Sequence, residues 1–455
     1  MASKSKRARM APIRDVTKSF KYWAVSIFVI KLIIIFNIQG GVTEILEKPF
    51  LIQGIWLGAD GENYLKGFSS LRNEGIFSTN AILNYWPAGY PLLILLLSTL
   101  SEAWTLPLLA IFQSAIFSWA VLLFASQLLK TNIKKFTYVI FIFILFNPTL
   151  SLSSLTIGYE SLTASGFLIS AAIIVKDLVE KNESKFISYL LINSTIFGIL
   201  AFLQPRLIVS GILINLFWVL LRRRIKLSLI LICFSLLITL FFPATLMYRN
   251  NQATGVNTIS TNLGNALNIG AGDNANGGYM REGFGVPCNL VGSVVERDNQ
   301  LTRCVFKWYV DNPSKALKLF YNKTIYFWSP WFNNGFAGNV FTGTMARNPW
   351  LKINPLTSIT ANPEGSNLIF GFFGKLTSWL WLIGGLALLG FGFVALWREK
   401  SIDRLMCTIA MIAIVTNWLI SLLTIGDHRF RIPIMGMSIF LQAIGLQKLF
   451  KKKKV

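Results

Sequence analysis

The stretch Pro87-Ala88-Gly89-Tyr90-Pro91-Leu92-Leu93-Ile94-Leu95-Leu96-Leu97-Ser98-Thr99-Leu100-Ser101 decides how this chain is threaded. It is one of eleven apolar segments, but it is short, and two prolines and a glycine stand at its start. Apolar stretches of roughly 10–14 residues are more often interfacial or re-entrant than membrane-spanning. The number of spans therefore depends on where this segment lies.

The composition is that of a membrane protein. Of 455 residues, 53% are hydrophobic and only 14% are charged, and the mean hydropathy is +0.55. Repeated long apolar stretches predict transmembrane helices. The formal charge of +23 does not indicate a nucleic-acid partner, because the basic residues cluster in short turns between spans, which is typical of cytoplasmic loops.

These basic clusters distinguish the two threadings. If 87–101 crosses the membrane, the lysines at 130–135, the basic run 222–226 and the terminal lysines at 451–454 all lie outside. If it lies along the outer surface, these clusters and the basic N-terminus all face the cytoplasm. We therefore predict ten spans with both termini inside, at 22–38, 105–129, 136–156, 161–175, 186–203, 207–221, 226–246, 374–397, 405–424 and 432–449.

The predicted fold is all-α and polytopic, in the plasma (inner) membrane, with interfacial helices in the first outer loop, 39–104. Residues 1–246 are predicted to form an N-terminal transmembrane module, 247–373 a long outer loop with amphipathic surface helices, and 374–455 the C-terminal spans. The basic N-terminus lacks a small-residue cleavage site before 22–38, which predicts a retained signal anchor. Lys31 within that anchor is expected to pack against the bundle or to snorkel.

Two carboxylates stand out in the outer segments of a chain with 20 acidic and 43 basic residues. Asp60 lies between Ala59 and Gly61 just past the first span, and Glu160 stands at the turn between the third and fourth spans. Ionisable groups near lipid are costly and tend to be kept for function. Glu160 could also be a simple surface carboxylate.

The rest of the first outer loop predicts helices at the membrane surface. Residues 63–74 form a short amphipathic helix with four apolar residues at helical spacing, namely Tyr64, Leu65, Phe68 and Leu71. Tyr85 and Trp86 then lead into the segment that begins at Pro87. An aromatic belt explains these two rings as well as a binding role does.

The long outer segment is rich in asparagine and glycine, and Asn262 and Asn265 are candidates for binding a polyhydroxylated ligand, since amides both donate and accept hydrogen bonds. A plain loop has a similar composition. Residues 298–327 predict one or two amphipathic helices lying on the membrane. Cys288 and Cys304 share this segment, and a disulfide depends on whether it faces an oxidising compartment.

The last outer turn reads Gly426-Asp427-His428-Arg429-Phe430-Arg431-Ile432-Pro433. Two arginines outside contradict the positive-inside tendency, and arginine suits a phosphate gripped through two hydrogen bonds. Lipid head groups or Asp427 are the alternative partners. His428 is the only histidine, which excludes a multi-histidine metal site. No cofactor is required by the sequence, although it leaves a divalent metal open.

Short motifs follow one another along nearly the whole chain. They are Asp60 with Tyr64, Pro87–Pro91, Tyr159–Leu162, Thr261–Gly270, Asn312–Lys323 with Trp328, and Gly426–Pro433. In this order they resemble the bacterial C-fold (GT-C) glycosyltransferases that use polyprenyl-phosphate sugars, which include protein O-mannosyltransferases and lipid A aminoarabinose transferases. Two positions depart from that pattern: Gly61 replaces a second acid, with Glu62 displaced by one, and an Arg-Pro appears as Gln204-Pro205-Arg206.

The resemblance implies an inverting transfer from a polyprenyl-phosphate sugar to an acceptor hydroxyl on a glycan, lipid or protein, at the periplasmic face. Asp60 would be the general base, and Glu160 would orient the acceptor or stabilise the sugar. Binding of the donor phosphate and of the substrates would fall to further residues. For phosphate these are Arg429, Arg431, Lys323 and Arg347, and for substrate Glu62, Tyr64, Tyr85, Arg206, Asn262 and Asn265.

Three other classes remain open. An O-antigen ligase or polymerase would share the outward arginines and the lipid donor. A transporter or flippase should show polar residues near the membrane midplane and often an internal repeat, neither of which is evident. A non-catalytic assembly partner would need none of these residues.

Overall fold

The computed structural model describes residues 2–38, 41–58, 60–222, 225–279, 285–328, 371–399 and 402–450. Helices dominate these ranges, together with one two-stranded hairpin. In chain order the elements up to the fourth predicted span are α1 Ala2–Asn37, β1 Gly41–Ile45, β2 Lys48–Ile52, α2 Gly61–Glu74, α3 Ile82–Tyr85, α4 Gly89–Ser98, α5 Thr105–Leu128, α6 Thr137–Leu145, α7 Pro148–Leu152 and α8 Glu160–Glu180. The remaining helices are α9 Glu183–Leu203, α10 Ile208–Arg222, α11 Ile225–Thr254, α12 Leu263–Ile269, α13 Val294–Asp311, α14 Pro313–Trp328, α15 Gly371–Trp397, α16 Ile402–Leu423 and α17 Met435–Phe450.

Within these ranges, nine helices are long and apolar enough to cross a membrane, and one bent pair raises the number to ten. The all-α, polytopic class is confirmed, and the predicted ten spans agree with this number when the bent pair counts as one span. The bent pair is the predicted third span, where Asn132–Leu145 and Pro148–Leu155 meet at 54°. Pro148 cannot continue the preceding helix, and the Asn147 side chain accepts a hydrogen bond from the Leu150 amide to start the new one.

The segment that decides the threading forms a helix of only 10 residues, α4. At 1.5 Å per residue it is about 15 Å long, roughly half the thickness of a hydrocarbon core. It packs against α2 and α5, burying Tyr90 and Ile94 completely. Helix α4 is therefore too short to be a span of its own.

The amphipathic surface elements follow the sequence pattern. In α2 the four predicted apolar residues are all buried, and 298–327 divides into α13 and α14, which meet at Asn312-Pro313. The hairpin was not predicted. Its turn places Leu46 and Glu47 at positive φ, 50° and 62°, without the Asn-Gly pair that signals such turns in a sequence.

Helix α8 lies at the centre of the bundle, in contact with α5, α9, α16 and α17. Helix α1 packs on α5, and its Lys31 is 2% exposed. The Lys31 Nζ donates to Ser154 Oγ at 3.0 Å and lies 4.3 Å from the centre of the Phe117 ring. Lys31 therefore packs inside the bundle and does not snorkel.

Candidate functional site

Three chain segments deliver charged side chains to one end of the bundle. Asp60 stands immediately before α2, Glu160 is the first residue of α8, and Arg429 is the second residue of the 3₁₀ helix His428–Ile434 that precedes α17. All three are at helix N-termini, where the backbone N–H groups lack partners within the helix and favour negative charge. The positions thus suit the two carboxylates directly, while Arg429 is brought there by the turn.

Arg429 bridges the two carboxylates. Its Nη2 donates to Asp60 Oδ2, and its Nε donates to Glu160 Oε1 at 2.5 Å. Asp60, Glu160 and Arg429 are 9%, 6% and 7% exposed, so water screens this carboxylate–arginine bridge only weakly. Buried charges persist in proteins when they are paired and hydrogen-bonded, as these are.

The bridge also distinguishes a chain with ten spans from one with eleven. With eleven spans, Asp60 and Glu160 would lie on opposite faces of the membrane, because an odd number of spans would separate them. In the structure both carboxylates bind one guanidinium. The two loops therefore emerge at the same end of the bundle, as ten spans require.

Backbone pairing fixes the loops of Asp60 and Glu160 to each other. The Trp56 amide donates to the Leu155 carbonyl at 2.8 Å, and the Ile157 amide donates to the Trp56 carbonyl at 2.9 Å. Gly58, at φ +73°, passes so close that a Cβ there would lie 2.6 Å from the Ile157 oxygen. Only glycine accommodates both this approach and the left-handed backbone.

A buried polar chain supports the same loop from the α4 side. The Tyr90 hydroxyl accepts from the Gly158 amide at 2.8 Å and donates to Gln113 Oε1 at 3.0 Å. Gln113 Nε2 in turn donates to the carbonyls of Ser154 and Thr156. Gln113 and Tyr90 thus hold the 154–158 backbone that leads to Glu160. Tyr90 lies in the Pro87–Pro91 motif, whereas nothing in the sequence context of Gln113 singles it out.

Two tyrosines lie beneath the bridge. Tyr64, a predicted substrate residue, is 2% exposed, and its ring centre is 4.9 Å from that of Tyr90 and 6.3 Å from that of Tyr159. Burial raises the pKa of Tyr159 to about 12 and that of Tyr64 well above its ordinary value. Both phenols stay neutral at physiological pH and form the floor of the site.

Arg206 has two buried guanidinium nitrogens with unused hydrogen-bonding capacity. It stacks on Phe430, with Cζ 4.1 Å from the ring centre, and the neighbouring Gln204 donates to the Tyr159 hydroxyl at 2.9 Å. The buried Nε and Nη2 of Arg206 have no hydrogen-bond partner among the described residues. Buried donors are nearly always paired, so these two are suited to an anionic ligand.

The other predicted phosphate residues have different surroundings. Lys323 is completely buried, and its Nζ donates to the carbonyls of Leu422 at 2.9 Å and Thr424 at 2.6 Å and to the Tyr309 hydroxyl at 2.9 Å. Arg431 Nη1 donates to the Trp328 carbonyl at 2.8 Å. Lys323 therefore fastens α14 to the end of α16, and Arg347 lies outside the described residues.

The remaining predicted substrate residues are held by protein partners. Glu62 pairs with Lys66 at 2.6 Å and is 48% exposed. Asn265 Nδ2 donates to the Tyr85 hydroxyl, and Asn262 Oδ1 accepts from Ser260 Oγ at 3.3 Å. Tyr85 and Asn265 are thus brought together across 180 residues of sequence, whereas Glu62 belongs to a surface ion pair.

Asp427 has a larger part than the sequence indicated. Its side chain accepts from the Arg429 amide at 2.9 Å, which shapes the turn that carries Arg429. Burial raises the pKa of Asp427 to about 6, against the opposing effect of that hydrogen bond and of the Arg429 charge. In the sequence, the only feature that could have drawn attention to Asp427 was its position directly before His428, the only histidine.

Within the described ranges, no three His, Cys, Asp or Glu side chains lie close enough together to hold a metal ion. Cys288 and Cys304 form the disulfide that the sequence left open. No protein-family model, no curated protein and no solved structure matches this chain. The case for its function therefore depends on the geometry of the site.

Proposed function

We propose that this protein is an inverting membrane glycosyltransferase that moves a sugar from a polyprenyl-phosphate donor to an acceptor hydroxyl. The observation that carries the proposal is the carboxylate–arginine bridge, with the uncommitted guanidinium of Arg206 near it. Two carboxylates can serve the acceptor and the electron-poor sugar, and a cation beside them can serve the leaving phosphate.

In the proposed reaction Asp60 accepts the proton of the acceptor hydroxyl while the oxygen attacks the anomeric carbon. The bond from that carbon to the phosphate oxygen breaks, and the lipid phosphate leaves with the electron pair. Because attack and departure occur on opposite faces of the sugar, the anomeric configuration inverts. Glu160 accepts from the neighbouring Nε of the same Arg429 guanidinium and would orient the acceptor or stabilise positive charge on the sugar.

The geometry favours Arg206 over Arg429 as the first contact of the donor phosphate. Arg429 is already matched by two carboxylates, so a phosphate would have to compete with them. Arg206 offers two buried N–H-bearing nitrogens without partners in the described part of the chain, and a planar guanidinium suits phosphate oxygens. Arg431, with its buried Nε also unpartnered there, is the second candidate.

The direct test is release of undecaprenyl phosphate by the purified protein in lipid nanodiscs. Undecaprenyl-phosphate monosaccharides of several sugars are supplied with a membrane glycan extract as acceptor, and matching undecaprenyl-diphosphate sugars are run in parallel. We expect release from a monophosphate donor only. Release from diphosphate donors alone would replace the proposal by a ligase- or polymerase-type reaction, and no release from any donor would reject it.

A binding measurement isolates the phosphate contact. We expect undecaprenyl phosphate, but not undecaprenol, to remain bound to the protein in native mass spectrometry. Arg206→Gln should weaken that binding by about tenfold or more, since a charge-assisted hydrogen bond is lost. Arg72→Gln is the matched control, because Arg72 pairs with Glu102 on the exposed surface. Equal binding by both variants would contradict the assignment of Arg206.

A further inference from the structure

A cleft separate from the carboxylate–arginine bridge lies between α13 and the segments 273–274 and 285–287, which follow α12. Its volume is about 490 Å³, within the roughly 300–1,000 Å³ of small-molecule sites. We call it the Trp308 cleft, after the half-buried indole in its wall. Its polar and aromatic lining consists of Asp273, Asn274, Lys307, Trp308, Asp311 and Asn312.

The cleft has a rigid frame. The Cys288–Cys304 disulfide joins the wall around Val286 to α13, and Asn268 Nδ2 donates to the Val286 carbonyl at 2.9 Å. Asp298 Oδ1 accepts from the Gly264 amide at 2.8 Å, which fixes α13 to α12. A cavity held by cross-links on two sides requires little ordering when a ligand binds, which favours affinity.

The two walls are also linked through the lining itself. Asp273 pairs with Lys315 at 2.9 Å, and hydrogen bonds from Lys315 and from the Trp308 side chain lower the pKa of Asp273. The indole therefore lies beside an ionised carboxylate. Asp311 and Asn312 at the end of α13 add a second carboxylate and amide next to the same ring.

This chemistry matches a sugar better than it matches a lipid or an anion. A sugar ring presents an apolar C–H face that packs on an indole, and hydroxyl groups around its edge that donate to carboxylates and exchange hydrogen bonds with amides. Asp273 is already paired with Lys315, and Asp311 and Lys307 balance each other within the lining, so the cleft has no net positive charge to attract a phosphate or another anionic ligand. An acyl chain would leave the carboxylates and amides unpaired.

We propose that the Trp308 cleft binds one or two units of a neutral glycan. Helix α13 connects the cleft to the end of α16. Trp308 lines the cleft, while the next residue, Tyr309, donates to the Leu423 carbonyl of α16 at 3.1 Å and accepts from Lys323 of α14. The segment that follows, 424–429, carries Asp427 and Arg429. If the cleft is an acceptor subsite, that role rests on the proposed glycosyl transfer. The proposal that the cleft binds a glycan does not depend on it.

The test measures binding, not transfer. Nanodisc-reconstituted protein is titrated with maltotriose, mannotriose and chitotriose as neutral probes and with trigalacturonate as an anionic probe, followed by saturation-transfer difference NMR. We expect at least one neutral trisaccharide to bind and trigalacturonate not to bind. Trp308→Ala and Asp311→Asn should each weaken the neutral probe by about tenfold or more, because each removes a principal contact.

The variants carry their own controls. Asp311 is exposed, so Asp311→Asn keeps the fold even if Trp308→Ala disturbs the packing, and Glu44→Gln, on the exposed hairpin, should leave binding unchanged. Absence of neutral trisaccharide binding, preference for trigalacturonate, or unaltered binding by Asp311→Asn would each overturn the proposal. Glycan binding without release of undecaprenyl phosphate would support the proposal for the cleft and reject the proposed glycosyl transfer.

Discussion

Two buried cations at the same end of the bundle are held in opposite ways. Arg429 lies between carboxylates from two distant loops, whereas Lys323 lies among backbone carbonyls at the end of one helix and a tyrosine hydroxyl. The backbone carbonyls carry no net charge and cannot accept or release a proton in this pH range. The carboxylates can exchange a proton and shift partners. The comparison separates a structural contact, Lys323, from the proposed reactive centre at Arg429, although both residues looked alike as outward basic residues in the sequence.

Breaking the carboxylate–arginine bridge should have the largest effect on stability. Arg429→Gln leaves Asp60 and Glu160 buried without their shared counter-ion, which costs about 3–5 kcal/mol for a broken buried pair. Thermal unfolding in detergent measures the loss. Arg72→Gln, which breaks a surface pair with Glu102, should change stability by about 0–1 kcal/mol. Equal losses in the two variants would show that the bridge is no more than a surface-type contact.

Removing the Lys323 contacts should lower the free energy of unfolding by less than breaking the bridge does, and should leave ligand binding intact. Lys323→Met retains the length of the side chain but leaves carbonyls at the end of α16 without a donor, for a loss of about 2–3 kcal/mol. Binding of undecaprenyl phosphate should survive at a temperature where the variant is folded. Loss of that binding in a fully folded Lys323→Met protein would indicate that Lys323 contacts the phosphate.

The close approach of the two carboxylate loops can be tested at one glycine. Gly58 and Gly75 both have positive φ, +73° and +88°, but only at Gly58 would a Cβ meet a neighbour, the Ile157 oxygen. Gly58→Ala should therefore be less stable than Gly75→Ala by about 1–2 kcal/mol. Similar unfolding temperatures for the two variants would mean that the loops are not held as closely as described.

Asp427 and Lys323 should respond to pH in opposite directions. Burial raises the pKa of Asp427 to about 6, so the folded state retains that proton longer than the unfolded chain, and this contribution to stability is lost as pH rises through about 6. Burial lowers the pKa of Lys323 to about 7, so its contribution grows as pH rises above 7. Asp427→Asn should remove about 1 kcal/mol of the stability difference between pH 5 and pH 7. An unchanged difference would contradict the burial of Asp427.

The sequence predicted the number of spans and the amphipathic face of α2, because hydrophobic periodicity and basic clusters report on lipid and water directly. It also placed Asp60, Glu160 and Arg429 at one end of the bundle. It did not predict that Arg429 would bind both carboxylates, since a contact across 369 positions leaves no local pattern. The supporting role of Gln113 was missed for the same reason, because it lies in an apolar helix where a polar residue has many uses. Tyr90 was noted only as part of the Pro87–Pro91 motif, without its partners.

The most direct test of the account is sugar transfer by Asp60→Asn beside Glu62→Gln. Both changes remove one carboxylate charge from neighbouring positions, but Asp60 is buried in the bridge and Glu62 is paired with Lys66 at the surface. With the fold confirmed by thermal unfolding, Asp60→Asn should lower the rate of undecaprenyl phosphate release by about 10²–10⁴-fold, the usual contribution of a general base, and Glu62→Gln should leave it within about twofold of the wild type. Full activity in a folded Asp60→Asn protein would contradict the central claim.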